Sequence, residues 1–198
     1  MARRTTVVVA LVAMGAVAVG TLAAIGVAQS GGSRFTAQRM SANFEVPVVS
    51  SNARGSFEAR LINPTTVNYT LRYSGLESDV RQAHIHFAQT FASGGITVWL
   101  CETALNPAPS PPAFPIDLRP LTPECPGPNG GDVSDSFTPT EVIGPATQGI
   151  AAGEFSALLE AMRDGFTYAN VHSASIPGGE IRGQIRRGGG DGDDGDDD

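Results

Sequence analysis

The sequence predicts a mainly β protein: an antiparallel β-sandwich or barrel with one short helix and a long Pro-rich insertion. Three observations lead there. Several short segments alternate apolar and polar residues with period two, the signature of half-buried strands. The 198 residues include 24 Gly and 14 Pro, an excess that favours short strands and turns over a helix bundle. Hydrophobic residues make up 41% and charged residues 17%, enough apolar material for one domain with a real core.

The first 30 residues stand apart from this pattern. Arg3 and Arg4 give a basic start, Thr5 to Val27 is almost wholly apolar or small, and Gly26 and Ala28 sit where a signal peptidase needs small residues. Residues 1–30 read as a signal peptide or an uncleaved membrane anchor, and either one puts the rest of the chain outside the cytoplasm.

The alternation begins with Phe57, Ala59 and Leu61 against Ser56, Glu58 and Arg60. A turn at Asn63-Pro64-Thr65-Thr66 follows. Val67, Tyr69, Leu71 and Tyr73 then alternate with Asn68, Thr70, Arg72 and Ser74. Segments 80–88, 95–101, 167–173 and 180–186 predict four further strands. One helix is expected where Phe155, Leu158, Leu159 and Met162 share a face, opened after Gly153-Glu154 and stopped by Gly165.

Between Cys101 and Gly149 the alternation is lost, and 11 of the 14 Pro fall there. Residues 102–148 therefore read as an insertion packed over one end of the sandwich. With export expected and two Cys in the chain, Cys101 and Cys125 are expected to form a disulfide that staples this segment. The domain spans 35–187. Residues 188–198 form a Gly/Asp tail that repels itself and stays solvated.

Formal charge is -7, but six Asp lie in the tail. Without tail and leader, 11 Arg face 14 acids, a net of -3. An acidic chain argues against nucleic acid as a partner. All 13 basic residues are Arg, which excludes Schiff-base and P-loop lysine chemistry. No G-x-S-x-G occurs, so a hydrolase elbow has no support.

The chemistry-bearing residues concentrate in two motifs. All three His lie in Ala83-His84-Ile85-His86 and Asn170-Val171-His172. On a strand, residues i and i+2 share a face. His84 and His86 thus point one way, with Ala83, Ile85 and Phe87 toward the core. The same parity groups Tyr168, Asn170 and His172 against Ala169 and Val171. In the last strand it sets Glu180, Arg182 and Gln184 outward and Ile181, Gly183 and Ile185 inward. If these strands are neighbours, the outer face gathers His84, His86, His172, Asn170, Glu180 and Arg182. Three imidazoles from two strands make a candidate metal site, with copper or zinc the fitting ions. The alternative is a hydrogen-bonded polar cluster, His to Asn and Glu to Arg, without metal.

Asn43-Phe44-Glu45-Val46-Pro47, the two His motifs, Ala152-Gly153-Glu154 and Pro177-Gly178-Gly179-Glu180-Ile181-Arg182-Gly183-Gln184-Ile185 resemble the CHRD family, the domain repeated in chordin and found alone in many bacterial exported proteins. The chain departs from the family pattern at Ala169 (usually Val), at Ser173 (usually Thr) and in the long insertion. The resemblance implies an extracellular β-sandwich. The H-x-H strand also resembles the copper strand of copper–zinc superoxide dismutases, but those sites use four His and this chain has three. Three functions are expected in descending order. The first is a non-catalytic extracytoplasmic binding or structural module whose partner the sequence does not identify. The second is a copper- or zinc-binding protein, and the third a metal-dependent redox enzyme. Contact with a membrane is expected through the N-terminal segment alone.

Overall fold

The computed structural model describes residues 33–110 and 114–188. The leader at 1–30 and residues 189–198 of the acidic tail lie outside them. The barrel is complete within one compact unit, Gly31–Asp198. Among the described residues no helix is long and apolar enough to cross a membrane.

Eight strands form one antiparallel sheet: β1 (Arg34–Ser41), β2 (Arg54–Asn63), β3 (Thr66–Ser74), β4 (Val80–Phe87), β5 (Ile96–Cys101), β6 (Gly131–Phe137), β7 (Thr167–Ser173) and β8 (Ile181–Arg187). One α-helix, α1 (Phe155–Arg163), lies between β6 and β7. The spatial order is β5-β4-β7-β8-β1-β2-β3-β6. The sheet curls until its edge strands β5 and β6 approach each other, giving a nearly closed barrel. Side chains and loops bridge the remaining seam. The Tyr69 hydroxyl donates to Leu100 O at 2.6 Å, and Ile143 N donates to Thr97 O at 2.9 Å. The disulfide Cys101–Cys125 ties the end of β5 to the segment leading into β6. Bridging the seam removes the exposed edges that an open sheet presents.

The inner face is continuous and apolar. Phe35, Phe57, Leu71, Ile85, Val98, Val171, Ile181 and Ile185 are all 0% exposed and belong to one core. Helix α1 turns Phe155, Leu158, Leu159 and Met162 into that core, with the Phe155 and Phe137 rings 6.1 Å apart edge to face. Gly165, at φ +73°, ends the helix in the left-handed region where glycine carries no steric penalty.

Two strands escape the sequence reading. In β1 a bulge between Ala37 and Met40 shifts the parity, so the inward residues are Phe35, Ala37 and Met40 and the alternation breaks. Strand β6 lies inside the segment read as an insertion packed over one end. It pairs with β3 in register from Val67↔Phe137 to Tyr73↔Gly131. Val133 and Phe137 enter the core, but exposed Asp135 holds the position between them and hides the pattern. Part of the Pro-rich segment is therefore barrel wall. Replacing Phe137 by Ala should cost about 3–5 kcal/mol in urea unfolding, the range for a buried phenylalanine. A loss below about 1 kcal/mol would place β6 outside the cooperative core.

A buried three-histidine cluster as candidate functional site

Strands β4, β7 and β8 lie side by side, with His84 opposite Asn170, His86 opposite Tyr168 and Asn170 opposite Arg182. The parity reading holds: Ala83, Ile85, Ala169, Val171, Ile181 and Ile185 face the core, and the polar set takes the other side. That outer face is not open to solvent. His84 is 0% exposed, His86 8%, His172 6% and Asn170 1%. Loops at 42–52, 88–95 and 174–180 cover it, and Trp99 of β5 packs edge-on against His84 with ring centroids 4.3 Å apart.

One ring nitrogen from each of the three His lies within 4.8 Å of the other two. Their proton positions follow from their partners. His86 Nδ1 donates to Gly94 O and His172 Nδ1 donates to Pro177 O, each at 3.0 Å. A carbonyl only accepts, so both rings carry their proton on Nδ1 and keep a lone pair on Nε2. His84 Nδ1 lies 3.1 Å from His172 Nε2 and must donate to it. The Nε2 atoms of His84 and His86 are then buried acceptors without a partner among the described residues. Burial dominates the acid–base behaviour. It holds the His84 ring well below the ordinary imidazole range and brings His86 and His172 down to about 4. All three rings are neutral near pH 7.

A second tier holds the rings in place. The Tyr168 ring stacks on His86 at 4.8 Å and 4°, and the Arg182 guanidinium lies 4.3 Å from the centre of the same Tyr168 ring. Arg182 Nε donates to Glu45 Oε2 at 2.7 Å and its NH1 to Ala92 O at 3.0 Å. Asn170 Nδ2 donates to Glu45 Oε1 at 2.6 Å and to Ile181 O at 2.9 Å. Burial raises the Glu45 carboxyl above the usual range, opposed by Arg182 and then Asn170. Gly179, at φ +122°, passes so close that a Cβ there would sit 2.8 Å from the Asn170 side chain.

The structure corrects the expected polar pairings. Arg182 pairs with Glu45, not Glu180, and Asn170 bonds no His. Glu180 is 0% exposed and faces elsewhere, accepting from Ser51 Oγ at 2.7 Å and Glu77 N at 2.8 Å. Three contributors were missed: Glu45, Tyr168 as a stacking platform, and Trp99. Glu45 lies in the Asn43–Pro47 motif, so its signal was visible. Its partner was not, because 137 residues separate Glu45 from Arg182.

Comparison with protein-family models matches residues 35–185 to the CHRD domain. Neither a curated protein nor a solved structure matches the chain.

The buried neutral rings make stability depend on acid. His86 and His172 titrate near 4 when folded and near 6.5 when unfolded. Between these values the unfolded chain binds more protons, so stability is full above about pH 6.5 and falls as pH drops toward 4. Each ring contributes about 3 kcal/mol of that loss. Urea unfolding with a chelator present should show this decline, and His86→Asn should flatten it by about one ring's share. Equal pH slopes for the two proteins would contradict the burial of a neutral His86.

Proposed function

The chain belongs to the CHRD domain family, and on that premise we propose that it is an exported, non-catalytic binding module whose barrel holds one copper or zinc ion on His84, His86 and His172. Export is supported by the disulfide, which persists in oxidising compartments, and by the extracellular setting of CHRD domains.

The observation that carries the metal reading is the state of the ring nitrogens. His86 and His172 are locked by backbone carbonyls with their Nε2 lone pairs free, the arrangement that orients histidine ligands in metal sites. The 3.1 Å from His84 Nδ1 to His172 Nε2 is close to the ~3.3 Å that separates two nitrogens on one tetrahedral ion with bonds of 2.0–2.1 Å. An ion between them replaces that hydrogen bond once His84 moves its proton to Nε2. Burial has already excluded protons near neutral pH, so the ion displaces no imidazolium charge. Exposures of 0–8% around the rings favour a structural or storage role over catalysis, which needs an open coordination position and a route for substrate.

Metal analysis of purified Gly31–Asp198, followed by copper and zinc titration near pH 7, tests this reading. One ion per chain should bind with sub-micromolar affinity. At 100-fold excess over Kd it should add about 2.7 kcal/mol of stability, and His86→Ala should abolish both effects. Binding weaker than micromolar for both metals would leave the cluster as a hydrogen-bonded polar layer and withdraw the metal role.

A further inference from the structure

A second site lies on the same side of the barrel, in a groove of about 380 Å³ between β1, β8 and the 88–95 loop. We propose that this groove binds a small amphipathic anion: one molecule with an anionic head and an apolar body. The inference does not depend on a metal at the His cluster.

The groove brings apolar rings and arginines together, beside the neutral polar residues Thr36, Gln38, Thr90 and Gln184. Phe44 and Phe91 supply the apolar rings, and Arg39 and Arg186 line the groove with them. Arg182 also lines the groove, but its charge is matched by Glu45. Arg39 and Arg186 form no ion pair with any described carboxylate, in a domain whose other groove arginine is paired. Arg186 crosses the bare backbone of Gly165 and donates to Thr90 Oγ1 at 3.0 Å, which holds its guanidinium at the rim. A carboxylate, sulfate or phosphate head suits this pair of arginines.

Phe91 supplies the second argument. The residue is 73% exposed, and it is the one described non-glycine residue at positive φ, +63°. The left-handed region is disfavoured for a bulky L-residue. A strained backbone that holds an aromatic ring in water stabilises nothing in the fold, and such strain concentrates at ligand sites. Phe44, half-buried, lines the same groove and adds a second ring. The volume lies within the ~300–1,000 Å³ of small-molecule pockets, which favours a single free ligand over a bilayer surface.

Isothermal titration of Gly31–Asp198 with decanoate tests the proposal, with decanol as the uncharged body and acetate as the bare head. Decanoate should bind one per chain, at least tenfold tighter than either comparator. The Arg39→Ala, Arg186→Ala double variant should weaken decanoate at least tenfold and leave decanol unchanged. Phe91→Gly should also weaken it tenfold while the melting temperature holds or rises, because glycine accepts the backbone that phenylalanine strains. That pairing separates loss of the site from loss of the fold. Equal binding of decanol and decanoate, unchanged affinity in these variants, or binding to anionic phospholipid vesicles without saturable decanoate binding would each overturn it.

Discussion

The buried contact between Glu45 and Arg182 is the constraint on which the rest of the functional face depends. Two oppositely charged groups 2.7 Å apart, at 5% exposure each, are stable only while both are present, because removing one leaves an unpaired buried charge. The pair joins the segment after β1 to the outer surface of β8, and Arg182 reaches on to Ala92 O. The 88–95 loop is thereby pinned over β4 and β7, and Gly94 O in that loop accepts the hydrogen bond from His86 Nδ1. A sheet face that would otherwise be wet becomes a second interior, polar and hydrogen-bonded except at a few atoms, His84 Nε2 and His86 Nε2 among them. The barrel thus has two buried layers. The inner one is apolar and stabilises by removing hydrocarbon from water. The outer one is specified by directional contacts.

These two layers explain what the sequence revealed. Strand parity is a local property, and His84-x-His86 and Asn170-x-His172 expressed it cleanly because Ile85 and Val171 occupy the core-facing positions between them. The convergence of the three rings was therefore legible. Their burial was not, because it is imposed by loops from 42–52, 88–95 and 174–180 whose docking no periodicity encodes. The same distinction applies to the fold. Strands with unbroken alternation, such as Val67 to Tyr73, could be read directly. Strand β1 was hidden by its bulge and β6 by Asp135, each interrupting the alternation that betrays a strand. The disulfide followed from a count of two cysteines, with no geometry needed.

Arg182 also connects the two candidate sites. One side of its side chain stacks over Tyr168, which in turn stacks on His86, and the residue lines the Phe44–Phe91 groove as well. A shift of the 88–95 loop would alter the His86 partner and the groove wall together, since Gly94 and Phe91 are three residues apart on one short loop. The fold gives both sites a rigid base in β7 and β8 and places the adjustable parts in the loops, a common division of labour in binding proteins.

The central claim is that three neutral imidazoles lie buried together with their protons assigned by the backbone. Long-range proton–nitrogen correlation NMR of the metal-free protein at pH 7 reads this directly, because each ring nitrogen reports whether it carries hydrogen. His86 and His172 are expected to show protonated Nδ1 and bare Nε2, and His84 to match them through its bond to His172. The pattern should persist to about pH 5, well below the ordinary imidazole value. Averaged nitrogen shifts, Nε2–H tautomers at His86 and His172, or protonation near pH 6.5 would show that the rings are solvated and would contradict the buried cluster.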